Sequence, residues 1–181
     1  MALGFFTNNK DCYGCKTCSM ACMTTRLSGQ TETFLRKVEV ILDGQAQAQS
    51  FLSLACNHCD EPACMANCPV GAYTKLDNGV VVQNHELCIG CKTCISACPY
   101  SAPVFDEAST STYKCDMCID RLERGDLPAC VEACPGANIE QGDIEALAKA
   151  HPDAVREVAG LTASANETKP NVLIAVDPKI A

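Results

Sequence analysis

Hydrophobic and polar positions alternate along this chain only in short stretches. Arg36 to Leu42 puts Val38, Val40 and Leu42 on one side and Lys37, Glu39 and Ile41 on the other, which predicts a strand with one imperfect face. Thr74 to Gln83, with Asp77-Asn78-Gly79 in the middle, predicts a hairpin, and Val104 to Tyr113 a second one. Asp143 is placed to cap a short helix that runs through Ala150 and stops before Pro152. Val172 to Val176 predicts a late strand, and the polar residues 161–171 predict a loop. That late run is far short of the ~20 apolar residues a spanning helix needs. Met1 to Asp11 lacks the long apolar stretch of a signal peptide, and no two Arg are adjacent, so a twin-arginine signal is also missing. The expectation is a soluble chain with no membrane span and no export signal of its own.

The 181 residues leave room for one large or two small domains. Sixteen of them are Cys, in four sets of four. Set one is Cys12, Cys15, Cys18 and Cys22; set two is Cys56, Cys59, Cys64 and Cys68. Set three is Cys88, Cys91, Cys94 and Cys98; set four is Cys115, Cys118, Cys130 and Cys134. Sets one and three share the spacing C-x2-C-x2-C-x3-C, and Cys12–Cys22 matches Cys88–Cys98 at eight of eleven places. The chain therefore contains a duplicated unit with two looser variants. Pro69, Pro99 and Pro135 follow the last Cys of sets two, three and four.

Three chemistries compete for this sulfur. A disulfide scaffold needs an oxidising compartment, and the sequence shows no route to one. Zinc sites use C-x2-C pairs, two to a metal. Three Cys at i, i+3 and i+6, a fourth four residues on and then Pro, is the signature of bacterial [4Fe–4S] proteins. Two residues between ligands let a tight loop wrap three corners of a cubane. Gly14 and Gly90 lie in such loops, where a missing side chain permits close approach or positive φ, although both also read as ordinary turn glycines. The x3 gap carries the fourth Cys one helical turn onward, and in two-cluster ferredoxins that residue serves the neighbouring cluster. The following Pro diverts the chain from the helix path.

Charge and the remaining residues narrow the function. A formal net charge of −8 argues against nucleic acid as a partner. Four oxidised clusters with their thiolates would add about −2 each, so the loaded protein favours a basic or closely packed partner, and the iron-free chain should fold poorly. Lys16, Lys92 and Lys114 adjoin ligands and read either as charges that raise cluster potentials or as solvated surface lysines. His58 lies between Cys56 and Cys59, but its set already has four Cys, which counts against a ligand role; His85 and His151 read as surface residues. No nucleophile–base pair, phosphate loop or flavin or nicotinamide fingerprint is present, so the chain reads as an electron carrier and not as a catalyst.

The order of the sets resembles that of the four-cluster iron–sulfur subunits of molybdopterin oxidoreductases, in particular the dimethyl sulfoxide reductase type. The resemblance rests on Gly4-Phe5-Phe6 ahead of Cys12–Cys18, on Cys56-Asn-His-Cys-Asp-Glu-Pro-Ala-Cys64, on Cys88-Ile-Gly-Cys91 with Ala97-Cys-Pro-Tyr100, on Lys114-Cys-Asp-Met-Cys-Ile-Asp-Arg121, on Cys130-Val-Glu-Ala-Cys-Pro135 and on the tail Lys169–Ile174. It implies an α+β fold of two intertwined ferredoxin-like modules, each holding two [4Fe–4S] clusters, with short hairpins and a C-terminal extension. Residues 1–50 and 110–181 would form the outer module (sets one and four), and 51–109 the inner module (sets two and three). The implied ligand sets are Cys12, Cys15, Cys18 and Cys134; Cys56, Cys59, Cys64 and Cys98; Cys88, Cys91, Cys94 and Cys68; and Cys115, Cys118, Cys130 and Cys22. Nitrate reductase relatives replace one set-three ligand and hold a three-iron cluster there; this chain keeps all four Cys, which implies four [4Fe–4S] clusters. The implied role is a non-catalytic electron-transfer subunit between a quinol-oxidising membrane anchor, which the inner module faces, and a molybdopterin catalytic subunit, which the outer module faces. Its implied location is peripheral to the cytoplasmic membrane, on either side, since relatives without a signal can be exported folded with the catalytic partner. The alternative is a polyferredoxin-like subunit or accessory protein of a hydrogenase or formate dehydrogenase.

Overall fold

The computed structural model describes residues 1–27, 33–42 and 49–178. Parts of the expected outer module, at 28–32, 43–48 and 179–181, lie outside the described residues.

The largest sheet has three strands. Strand β1 (Leu3–Asn8) lies in its centre, antiparallel to β8 (Ile139–Asp143) and parallel to β9 (Val172–Ala175). Both faces of β1 are covered, because successive side chains of a strand point opposite ways. Phe5 joins a core built with Cys18, Cys56, Cys115 and Cys130, whereas Phe6 packs with Ile144, Leu147 and Leu173. Neither β1 nor β8 is predicted from alternation, since β1 is buried on both sides and β8 carries Glu140, Gln141 and Gly142.

Three antiparallel hairpins surround this sheet. Strand β2 (Lys37–Leu42) pairs with β3 (Gln49–Leu54), β4 (Tyr73–Lys75) with β5 (Val81–Gln83), and β6 (Val104–Asp106) with β7 (Ser111–Tyr113). The two hairpins and the late strand stand where alternation and turn residues place them. The face expected for β2 does not hold. Val40 and Leu42 are exposed, and Ile41 packs beside Leu52, Val158, Val172 and Ile174. The hairpin lies between two cores, so Val38 packs on the cysteine-rich one and Ile41, from the opposite face, on the other.

Helices are short and mostly serve cysteines. They are α1 (Thr17–Arg26), α2 (Ala63–Ala66), α3 (Thr93–Ala97), α4 (Ile119–Leu122) and α5 (Ala129–Glu132), with a single 3-10 turn at His85–Leu87. Helix α6 (Ile144–Ala150) begins where expected: the Asp143 carboxylate accepts from the Ala146 N–H at 3.0 Å. The stretch predicted as loop contains a further turn of helix, α7 (Ala165–Thr168), capped by Ser164. Among the described residues no helix is long and apolar enough to cross a membrane.

Candidate metal-cluster sites

All sixteen cysteines carry free thiols. They are gathered by one local device used four times. The third residue of every C-x2-C loop has a left-handed backbone: Gly14 (φ 69°), His58 (φ 43°), Gly90 (φ 66°) and Met117 (φ 59°). A left-handed residue in such a turn points successive N–H groups into the concavity and makes an anion-binding nest. At Gly14 and Gly90 space adds a second demand. A Cβ would lie 2.4 Å from the Phe51 ring at Gly14 and 2.4 Å from the Thr110 carbonyl oxygen at Gly90. His58 and Met117 adopt the same conformation with side chains, a cost that burial of both holds in place.

The prolines shape a second device. After Cys68-Pro, Cys98-Pro and Cys134-Pro the chain reaches Gly71, Ser101 and Ala137, all at positive φ. The next N–H then turns back on the sulfur. Ala72 N donates to Cys68 Sγ at 3.3 Å, Asn138 N to Cys134 Sγ at 3.3 Å, and Ala102 N to Cys98. Side-chain hydroxyls supply more donors. Thr17 reaches Cys15 and Thr93 reaches Cys91, both at 3.3 Å, and Thr168 reaches Cys59 at 3.2 Å. Thr112 lies 3.5 Å from Cys88 and 3.6 Å from Cys94, and Ser53 lies 3.5 Å from Cys18.

Three cavities each collect four sulfurs. One of about 360 Å3 is lined by Cys12, Cys15, Cys18 and Cys134. One of about 370 Å3 is lined by Cys56, Cys59, Cys64 and Cys98. One of about 280 Å3 is lined by Cys88, Cys91, Cys94 and Cys68. In each case three cysteines come from one run and the fourth from another, because the helix after the run carries its last Cys away to the neighbouring site. The remaining four are neighbours through packing of α1 on α5. Cys22 feels Cys130 and Cys118, and Cys115 feels Cys22 and Cys130.

The chemistry of these donors suits an iron–sulfur core. No carboxylate lines any of the three cavities. The sulfurs ring a volume and do not converge: among the described residues no three His, Cys, Asp or Glu side chains meet tightly enough to hold a single ion. Soft thiolates around a cavity of this size match a multi-iron cluster and not one zinc. Burial pushes the Cys64 thiol up to about 12 and Cys59 to about 11, and in Cys22 burial and the nearby Cys130 push it to about 12. Such thiols become thiolates beside a bound metal, whose charge inverts the local balance. Cys88 stands lower, at about 7, since hydrogen bonds from Ser111, Thr112 and Gly90 outweigh its burial.

The other sequence candidates separate clearly. Lys16 and Lys92 are exposed and cap α1 and α3 in the left-handed conformation; Lys92 lies over the Phe105 ring. Lys114 is buried, against the surface reading, and donates to the carbonyl oxygens of Val81 and Cys115. His58 is fully buried, with Nδ1 accepting from Val81 N at 3.0 Å. His85 is exposed and stacks on Tyr113, whereas His151, read as a surface residue, stacks on Phe6 with ring centroids 3.6 Å apart. Sequence reasoning misses Arg36, Ser53, Thr112 and Thr168. Only Thr168, beside the family-like tail at Lys169, leaves a signal that could have been followed.

Cysteine quartets in a small α+β fold define an iron–sulfur protein. Residues 47–144 match the family described as 4Fe-4S dicluster domain. Over 94% of its length this chain is 40% identical to the iron–sulfur subunit of the anaerobic dimethyl sulfoxide reductase of Escherichia coli, covering 87% of that protein. It is 38% identical to a subunit of the tetrathionate reductase of Salmonella typhimurium over 69% of this chain and 51% of that one. It is 34% identical to the iron-sulfur subunit of the nitrate-inducible formate dehydrogenase of Escherichia coli, over 68% of this chain and 48% of that one. The chain belongs to the family of iron–sulfur electron-transfer subunits that includes the one from dimethyl sulfoxide reductase.

Proposed function

We propose that this protein is the electron-transfer subunit of a molybdopterin oxidoreductase of dimethyl sulfoxide reductase type, holding four [4Fe–4S] clusters and doing no substrate chemistry itself. The observation that carries this reading is the crossed composition of the quartets, three cysteines of one run with the last cysteine of another. The proposed ligands are Cys12, Cys15, Cys18 and Cys134; Cys22, Cys115, Cys118 and Cys130; Cys56, Cys59, Cys64 and Cys98; and Cys68, Cys88, Cys91 and Cys94. When bound, such clusters supply one-electron carriers.

The chain's own residues do the rest. The left-handed loops and the hydroxyls of Thr17, Thr93, Thr112 and Thr168 fix the sulfurs and give them donors. Helices α1, α2, α3 and α5 hold adjacent quartets at a fixed spacing, and Phe5, Val80 and Met117 exclude water between them. The two proposed modules, 1–50 with 110–181 and 51–109, change over within β3 and in the turn between β6 and β7. Each module therefore borrows a hairpin strand from the other. The exposed ends of the quartets, at Cys15 and Cys91, are where partners can approach. The proposed partners are a molybdopterin catalytic subunit at the outer module and a quinol-oxidising membrane anchor at the inner one, which makes the chain peripheral to the cytoplasmic membrane.

The 40% identity over nearly the whole chain favours this assignment over a formate dehydrogenase or hydrogenase role. Copurification tests the assignment: a large molybdenum-containing partner is expected, and a nickel-containing one overturns it. Metal analysis tests the count, with about sixteen irons per chain expected for four cubanes.

A further inference from the structure

A buried cation sits where two quartets meet. Arg36, just before β2, is 1% exposed. One terminal nitrogen donates to the carbonyl oxygen and the hydroxyl of Ser53, both at 3.2 Å, and the guanidinium lies 4.9 Å over the Phe5 ring. Nε and the second terminal nitrogen find no acceptor among the described residues.

Its surroundings join two sites. The Ser53 hydroxyl that takes its hydrogen bond also lies 3.5 Å from Cys18 Sγ, in the quartet of Cys12. The preceding residue, Leu35, packs against Cys22, in the quartet of Cys115. Burial works against the charge of Arg36, and the negative charges that favour it are Cys130, Cys115, Cys18 and Cys22; the net effect holds it above the ordinary value. A guanidinium stays ionised in proteins, and burying one without an anionic partner is prohibitive. The usual partner is a carboxylate. Here the anions that act on Arg36 are sulfur, three from one quartet and one from the other.

We propose that Arg36 is the shared counter-charge of the two outer sites, donating its unpaired N–H groups to sulfur there and raising the reduction potential of both centres. The proposal rests on the cluster assignment above. A fixed cation between two centres favours the more negative, reduced form of each. A guanidinium suits the position because its planar fork presents donors in several directions. Lys114 is the natural contrast. It is also buried, beside Cys64 and Cys98, but its ammonium is taken up by the carbonyls of Val81 and Cys115. Arg36 is a positioning residue and not a ligand.

The test is a redox titration of the intact, anaerobically purified complex, followed by low-temperature paramagnetic resonance. Arg36→Gln with full iron should lower two of the four potentials by at least tenfold in reduction equilibrium, about 59 mV for one electron, and leave the other two unmoved. Arg36→Lys, which keeps the charge, should recover most of the shift. Unchanged potentials in Arg36→Gln at full iron overturn the proposal. If Arg36→Gln loses iron, Arg36→Met, which fills a similar volume, takes its place. Iron loss from both neutral variants but not from Arg36→Lys supports a charge requirement; loss from all three overturns it in favour of packing. Iron missing from the unmodified protein sinks the cluster assignment instead, which keeps the two failures apart.

Discussion

The hydroxyl of Thr168 lies 3.2 Å from the sulfur of Cys59, 109 residues earlier in the chain. The contact fastens the C-terminal extension to an inner quartet. It is reinforced by Asn171, whose side chain donates to the His58 carbonyl at 2.9 Å and the Asp60 carboxylate at 3.0 Å. The extension is therefore part of the cluster-binding structure.

Thr168→Val should remove that donor without leaving a hole. A hydrogen bond to a charged sulfur contributes about 1.5–3 kcal/mol. Burial already opposes the Cys59 thiolate, so its loss should lower the potential of the Cys56 centre and leave the others unchanged. A redox titration checks it, and an unchanged set of potentials would show that the contact does nothing for the centre.

Gly71 and Gly90 share a left-handed backbone but differ in space. A Cβ at Gly71 meets nothing within 4 Å, whereas at Gly90 it meets the Thr110 carbonyl. Gly71→Ala should cost about 1–2 kcal/mol from backbone conformation alone. Gly90→Ala should add displacement of the β6–β7 turn, which carries Thr112 against Cys88 and Cys94, and lose iron from that quartet. Iron per chain and melting temperature, measured together, separate the two effects.

Cys94 is buried in the inner quartet that exposes Cys91. Cys94→Ser should convert or destroy one cluster and stop quinol-linked turnover, while electrons supplied directly to the catalytic subunit still reach it. Intact quinol-linked turnover would be incompatible with a linear relay.

Removal of iron should unfold the chain unevenly. Phe6, Ile144, Leu147 and Leu173 form a core with no cysteine, as do Leu52, Val158, Val172 and Ile174. The other three cores are built with cysteine side chains. Chelation should expose the amides around Cys12–Cys22 and Cys88–Cys98 to rapid hydrogen exchange while β1 and β9 keep protection for longer. Equal loss everywhere would mean that one cooperative core depends wholly on metal.

The cysteine runs were legible because spacing is a local property: three residues at i, i+3 and i+6 need no tertiary information. Hairpins β4–β5 and β6–β7 and the Asp143 cap were legible for the same reason. Strand β1 was not, since a strand covered on both faces loses the alternation that would reveal it. Nor were the left-handed turns at His58 and Met117, where the fold imposes on larger residues what Gly14 and Gly90 accept freely. Arg36 stayed hidden because its sequence neighbours describe an ordinary strand start, and only the tertiary fold sets it among sulfurs.

The crossed quartets bear on synthesis. A ribosome that has released the chain as far as residue 110 has delivered every cysteine lining both inner cavities. The outer pair must wait for Cys115 to Cys134, so Cys12 and its companions stay unfinished until nearly three quarters of the polypeptide exists. Iron delivery then has a built-in order, centre before periphery, and a ribosome that stalls early leaves the first-made cysteines bare to oxygen.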